Sequence, residues 1–225
     1  MASGMGSPMV FMGAELLQHG FWHTDDAHRF DWGIAGDDAA LGMSVCMQHG
    51  NFVRRMTPSL QRGDMEVIFS HAHKQVMVYS RRCWVPHLQE NGAGPLLDAS
   101  RDAEGAGEAH YIPRDAWFDA FDASSQASDG YEDVSIVVVN FGDHEWGDHL
   151  YGIPVHGRDC ERTWVEVFNS QREEYGGWRG SGNATDDDDE NAPPGPKILQ
   201  VQDGKIHVRV AKCSVHVFRA AGPAS

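Results

Sequence analysis

The sequence lacks the features that mark a membrane protein, a disulfide-stabilised protein or a zinc protein. No apolar run in its 225 residues approaches the roughly 18 needed for a transmembrane helix. The four cysteines have no CxxC spacing, which favours free thiols in a reducing compartment. The first stretch, MASGMGSPMVFMG, has no basic residue before its apolar run and is a poor secretory signal. These absences predict an intracellular protein, cytoplasmic or plastidic, with no membrane partner.

Basic side chains are outnumbered, and the formal charge is −15. Residues 84–133 carry eleven acids against two arginines, and the run DDDDE at 186–190 adds five more negative charges. Acidic segments of this kind are usually solvated loops, and they disfavour nucleic acid as a partner. The sequence therefore predicts an acidic insertion at about 84–130, in which AWFDAFD at 116–122 is the best candidate for a short helix.

Short strands of β-branched and aromatic residues dominate the chain after residue 60. MEVIFSHAHKQVMVYSRR predicts two strands around a turn near 71–74, and DVSIVVVNF and TWVEVFNS predict two more. KIHVRV and CSVHVFRA predict a closing hairpin. Several short strands joined by turns indicate an antiparallel β-sandwich over residues 60–225, so the predicted fold class is mainly β.

The preceding part of the chain has a different pattern. Residues 8–13 predict a short buried strand, and residues 38–56 predict a helix that Asp37 or Asp38 could cap and that Pro58 would follow. Four apolar residues fall near one face of this helix: Leu41, Val45, Phe52 and Met56.

The polar clusters give weak signals for chemistry. HAH at 71–73 and DHEWGDH at 143–149 both fall at predicted turns, where polar residues need no special reason, and a metal site needs three or four converging ligands. The DDDDE run lacks the ligand spacing of a calcium loop. No carboxylates can be assigned as the acid and nucleophile of a glycosidase. We therefore predict no metal, no cofactor and no catalytic residue in this chain.

The stretch EYGGWRGSGN places two aromatic rings among four glycines. Flat exposed rings can stack on the apolar faces of sugar rings, although aromatic side chains more often pack on a sheet. Four aromatic residues are predicted sugar contacts: Trp22, Trp32, Tyr175 and Trp178.

Three stretches, in the same order, resemble the C-terminal part of an α-glucan branching enzyme of the α-amylase superfamily. PMVFMGAELLQHGFW followed by FDW resembles the PMLFMGxEFG and LDW segments of that family. VIFSHAHKQVMVYSRR with DVSIVVVNF resembles a pair of its sandwich strands. WVEVFNSQREEYGGWRGSGN resembles WxEVLNSDxxxYGGSxxGN, and this is the most specific match. Leu16-Leu17 replaces the Phe-Gly of the family, a departure on the loop that faces its active site.

The resemblance implies a division of the chain and a function. Residues 1–59 would be the last strand and helix of a (β/α)8 catalytic barrel, and residues 60–225 the C-terminal sandwich. The catalytic carboxylates of the family lie on earlier barrel strands, so we expect this chain alone to be inactive. One interpretation is the non-catalytic end of a branching enzyme, with the missing barrel as its partner and starch or glycogen as substrate. The other is a free-standing α-glucan-binding or interaction module. Retention of the barrel segment favours the first.

Overall fold

The structure is a computed structural model that describes residue 10 and residues 13–19, 30–86, 130–177 and 198–223. Two sheets and a pair of helices account for most of these residues. The predicted strand at 8–13 lies almost entirely outside the described residues, and so does the predicted helix at 116–122.

The larger sheet has six strands in the order β1-β2-β3-β9-β5-β6, and every pairing is antiparallel. Its strands are β1 (Asp64–His71), β2 (Val76–Pro86), β3 (Gly130–Asn140), β5 (Arg162–Asn169), β6 (Ile198–Leu199) and β9 (Ser214–Pro223). β3 is apolar on both sides because Val134, Ile136 and Val138 alternate with Val137 and Val139. A strand with two apolar faces requires cover on both, and β3 accordingly lies inside the sheet.

The smaller sheet has three antiparallel strands in the order β4-β8-β7. They are β4 (Trp146–Pro154), β7 (Val201–Gln202) and β8 (Lys205–Val210). β8 buries Ile206, Val208 and Val210 and turns the residues between them outward. One apolar face is typical of a strand that packs on a core from one side only.

The two sheets face each other across one apolar core. It includes Val78 and Ile136 from the larger sheet and Ile153 and Ile206 from the smaller one, with Trp164 and Phe218 fully buried between them. Two antiparallel sheets packed in this way form a sandwich. The predicted mainly β fold is therefore confirmed.

Helices cover the opposite face of the larger sheet. α1 (Asp38–Met56) has the predicted bounds, and α2 (Pro58–Arg62) begins at the proline predicted to follow it. Leu60 of α2 packs with Val137 and Val217 of the sheet. Within the described residues, no helix is long and apolar enough to cross a membrane.

The buried face of α1 differs from the predicted apolar face. Leu41 is 50% exposed, whereas Gly42, His49, Gly50 and Arg54 are buried. Small and polar residues thus form much of the contact surface of this helix, together with Cys46 and Val53, which pack on the apolar cluster around Leu60.

The predicted closing hairpin is wrong. β8 pairs with β4 and β7 in the smaller sheet, whereas β9 lies between β3 and β5 in the larger one. The connection between them crosses from one sheet to the other, with Cys213 in the left-handed region at φ 46°. Alternation of side chains defines each strand but not its partner, because both strands bury one face in the same core.

Candidate functional site

The loop after β5 holds the most specific sequence motif. The Asn169 side-chain oxygen accepts a hydrogen bond from the Gln171 amide at 2.9 Å, and a 3-10 turn follows at Glu173–Tyr175. Gly176 has φ 79°, and a Cβ on Gly177 would lie 2.1 Å from the Gln171 carbonyl oxygen. Both glycines are therefore required by the backbone, because a side chain would be strained at the first and would collide at the second.

Tyr175 points inward from this loop and joins α1 to β5. Its ring stacks on Phe168, with the ring centres 6.4 Å apart, and its hydroxyl hydrogen-bonds to Nδ1 of His49. A Cβ on Gly42 would lie 2.4 Å from the Tyr175 carbonyl oxygen, so glycine alone permits this approach of helix and loop. The side chain of Tyr175 is 9% exposed.

Burial shifts the pKa values of three groups in the Tyr175 contact. Burial raises the pKa of Tyr175, and burial together with the charge of Glu174 raises the pKa of Cys46 to about 11. Burial lowers the pKa of His49; Glu174 opposes that shift and Arg172 adds to it. A reactive cysteine needs a lowered pKa, whereas that of Cys46 is raised, and the buried Tyr175 hydroxyl is already bonded to His49. This cluster fits a structural junction better than an acid–base site.

A second buried cluster resembles a hydrolase triad in its residue types. Nδ1 of His216 lies 2.7 Å from a Glu166 carboxylate oxygen, and Nε2 lies 2.9 Å from the Ser214 hydroxyl. However, the Ser214 hydroxyl donates to the Ala211 carbonyl, and the Ala211 amide donates to Nε2 of His216 at 3.2 Å. Ser214 and His216 are at most 2% exposed. A nucleophile must reach substrate and give its proton to the base, so this network is structural.

The buried carboxylates in the described ranges all have cationic or histidine partners. Asp133 is 2.7 Å from Arg219, Asp159 binds Arg82, and Glu166 binds the histidine of the preceding cluster. Each of these carboxylates is thus bound to a partner inside the protein, which is the arrangement of a structural ion pair.

The two predicted histidine clusters have structural contacts. His71 ends β1, and its Nδ1 is 2.9 Å from the Tyr151 hydroxyl. The prediction that 143–149 is a turn is wrong in part, because Trp146 begins β4 and is buried, with His144 against its ring. Across the residues the structure describes, no three His, Cys, Asp or Glu side chains converge as metal ligands.

Of the predicted sugar contacts, two lie within the described residues. Trp32 is 76% exposed in a 3-10 turn and tilts against Phe30, with ring centres 4.5 Å apart. The Trp32 turn and the Tyr175 turn both contact α1. Sugar contact by either residue stays a prediction, and Trp22 and Trp178 lie outside the described residues.

Sequence reasoning missed an exposed aromatic ring and the charged side chains next to it. Trp84 near the end of β2 is 59% exposed, and Arg82, Glu132, Asp159 and Arg162 form linked ion pairs nearby. These residues are scattered along the sequence, and only the register of β2 with β3 places Trp84 opposite Glu132. The sequence prediction places residue 84 at the start of the acidic insertion at about 84–130, whereas β2 continues to Pro86.

Comparison with known proteins gives one consistent relationship. No protein-family model matches the chain. Two curated 1,4-alpha-glucan branching enzymes, named GlgB, from Bradyrhizobium sp. strains BTAi1 and ORS 278, are each 24% identical to it over 178 residues. The match covers 76% of this chain and 18% of each relative, so the chain spans about a fifth of their length.

A solved structure of an Anoxybacillus alpha-amylase also aligns, with a TM-score of 0.49 and 10% identity. That alignment covers 100% of this chain and 31% of the alpha-amylase chain. The two branching enzymes confirm, at low identity and over 76% of this chain, the resemblance that the sequence motifs indicate.

Proposed function

We propose that this chain is the C-terminal region of an α-glucan branching enzyme. Such an enzyme cleaves an α-1,4-glucan and transfers the released segment to a 6-hydroxyl of starch or glycogen. The observation that carries the proposal is the similarity to two branching enzymes over 178 residues. The sandwich and the glycine loop that the motifs predicted support it.

Residues 1–59 would belong to the catalytic barrel and residues 60–225 to the sandwich, with the insertion at about 84–130. In this arrangement Tyr175 has a mechanical role. It fixes α1, the barrel-derived helix, against β5 of the sandwich through His49 and Phe168. The chain would support the barrel and would supply no catalytic carboxylate, which agrees with the ion pairs of its buried acids.

The native polypeptide provides the test. An antibody against residues 84–130 should detect a band well above 24.9 kDa in the source cells, because the chain spans 18% of its relatives. That polypeptide should lower the iodine absorbance of amylose and should create branches that a debranching enzyme releases. The 225-residue chain alone should do neither. A native band at 24.9 kDa, a larger polypeptide without branching activity, or turnover of amylose by the pure chain would each contradict the proposal.

A free-standing glucan-binding module is the second candidate, and the exposed indole of Trp32 favours it. In this case the chain would be retarded in native gels that contain glycogen. Replacing Trp32 by alanine should restore part of its mobility, and so should joint replacement of Tyr175 and Trp178. Unchanged mobility would remove the substituted residues from the set of sugar contacts.

A further inference from the structure

Trp84 lies on an open part of the larger sheet. In the register of β2 with β3, Arg82 is opposite Val134 and Trp84 is opposite Glu132. Directly opposed residues point to the same face, and Val134 belongs to the sandwich core. Arg82, Trp84 and Glu132 therefore continue the core face of the sheet. Trp84 is 59% exposed there, whereas Val134 is fully buried.

The Trp84 indole is held in place on one side. A Cβ on Gly130 would lie 3.0 Å from Cε2 of Trp84, so the ring packs against a residue without a side chain. Aromatic rings often cover glycine residues in β-strands, and this packing explains the contact between Trp84 and Gly130. The greater part of the ring stays exposed. Because the ring is already held in one position, little entropy would be lost when a ligand binds to it.

Four charged side chains beside the ring are fixed by mutual ion pairs. Arg162 donates to the Glu132 carboxylate at 2.8 Å and to its carbonyl oxygen at 3.1 Å. Both terminal nitrogens of Arg82 bind Asp159, and one of them lies 3.9 Å from Glu132. Arg82 and Glu132 still have side chains 36% and 37% exposed. Arg82 can therefore donate hydrogen bonds to a ligand and Glu132 can accept them, and the ion pairs already hold both side chains in position.

The charges of this group and its neighbours disfavour an anionic ligand. Two arginines and two carboxylates cancel, and each is paired. Neither arginine is left to bind a phosphate, and Asp64 of β1, opposite Arg82 in the register of β1 with β2, adds a further carboxylate on the same face. The hydrogen bond to Asp159 is the largest cause that raises the pKa of Arg82; burial opposes it, and the charges of Asp159, Glu132 and Glu66 add to it. The carboxylates around Arg82 thus make the field less favourable still for an anion.

A flat exposed ring beside fixed polar groups suits a neutral molecule with an apolar face and a hydroxyl rim, and a pyranose has both. We propose that Trp84, with Arg82, Glu132 and Arg162, forms a surface subsite for a glucosyl unit of an α-glucan. The choice of α-glucan rests on the proposed function. The subsite would hold a long chain on the sandwich, away from the reacting bond.

Affinity electrophoresis of the full chain tests this subsite with glycogen as the probe. Wild type should be retarded, and Trp84→Ala should weaken the apparent affinity at least about fivefold, the loss expected when a central aromatic contact is removed. Trp84→Phe keeps a flat ring and should retain part of the retardation. Phe141→Ala is the matched control, since Phe141 is 66% exposed at the other end of β3 and should change nothing. Circular dichroism and thermal melting would establish that each variant is folded.

Four results would overturn the subsite. They are a folded Trp84→Ala as strongly retarded as wild type, a wild type that glycogen does not retard, retardation by dextran sulfate alone, and a wild-type dimer that Trp84→Ala dissociates. The third would indicate an anion site, and the fourth an interface between copies of the chain. None of these results tests the proposed function, which is tested separately by the branching activity of the native polypeptide.

Discussion

The two faces of the six-stranded sheet are held by different forces. On the inner face Val78, Ile136 and Phe218 meet the apolar side of the smaller sheet. On the outer face a second apolar cluster around Leu60, Val137 and Val217 is bordered by buried polar groups. The Ser59 amide donates to Asp133 at 2.8 Å, and the Ser59 hydroxyl lies 2.8 Å from that of Ser135. The other Asp133 oxygen accepts from Arg219 at 2.7 Å, and Arg81 donates twice to the Gly63 carbonyl.

This difference indicates how the helices are positioned. Apolar burial is non-directional, so it stabilises the sandwich without fixing each contact. The outer face instead holds α2 at both ends, with a carboxylate at the N-terminus and a guanidinium at the C-terminus, the arrangement that complements the helix dipole. A helix of five residues has little stability alone, so its place depends on these bonds. We infer that the outer face sets the geometry and the inner face supplies most of the stability.

Removing one charge from the outer face should destabilise the protein as much as opening a cavity on the inner face. Asp133→Ala deprives the buried Arg219 of a carboxylate and the Ser59 amide of its acceptor. We expect a loss of about 3–5 kcal/mol in the free energy of unfolding, the range for a broken buried ion pair. Ile206→Ala on the inner face should lose about 2–5 kcal/mol through its cavity. Urea unfolding measures both.

Matched variants separate the two interactions of Asp133. Asp133→Asn retains an oxygen for the Ser59 amide and loses the charge that faces Arg219, so it should fall between wild type and Asp133→Ala. Glu145→Ala removes an exposed carboxylate and should change the free energy by less than about 0.5 kcal/mol. If Asp133→Ala were as stable as Glu145→Ala, the outer face would be held by Leu60 and its neighbours alone.

The sequence predicted the inner face better than the outer one. The apolar run in DVSIVVVNF identified β3, the alternation in KIHVRV identified β8, and the long helical pattern identified α1. The polar contacts of the outer face were not predictable, because Ser59 and Asp133 are 74 residues apart in the chain. Likewise, the contact face of α1 was missed because glycine and histidine do not register as an apolar stripe.

Which of the two sheets each strand joins was equally unpredictable from the sequence. The pattern of CSVHVFRA predicted a strand, but not that Ser214 and His216 are buried or that His216 has Glu166, 50 residues away, as its partner. A buried histidine is favourable only when its ring nitrogens find partners, and such a partner is visible only in three dimensions. The Tyr175 loop was identified by its motif, but its inward direction depends on Gly42, a residue that no motif contains.

The contact of α1 with the Tyr175 loop can be tested by adding one methyl group. In Gly42→Ala the new Cβ would lie 2.4 Å from the Tyr175 carbonyl oxygen, so helix and loop must separate. Overpacking of this kind destabilises by about 1–3 kcal/mol, against a gain of about 1 kcal/mol in helix propensity. Gly36→Ala is the control, since nothing lies within 4 Å of its added Cβ. Thermal melting that shows Gly42→Ala to be no less stable than Gly36→Ala would mean that the close approach is not required.

The smallest expected effect concerns pH. Burial, the largest cause, lowers the pKa of His49 from its ordinary value of 6.5. The unfolded chain therefore binds a proton at His49 more readily than the folded chain does, and protonation favours unfolding. The contribution of His49 to stability is complete above pH 6.5 and is lost as the pH falls through the lowered folded value.

Replacing His49 measures how much this residue contributes to the pH dependence of the free energy of unfolding. His49→Asn keeps a polar atom near the position of Nδ1 but has no group that titrates near neutral pH. Its free energy of unfolding should fall less than that of wild type between about pH 6.5 and pH 5, the region just below the ordinary histidine pKa. Tyr175→Phe keeps the titrating ring and loses one hydrogen bond, so it should be less stable by about 1 kcal/mol at pH 8 and should retain a pH dependence. Parallel curves for wild type and His49→Asn would show that protonation of His49 does not oppose its contact with Tyr175. The stability of the contact between α1 and the Tyr175 loop would then not depend on protonation of His49. This contact would differ from the apolar inner face only in its close packing.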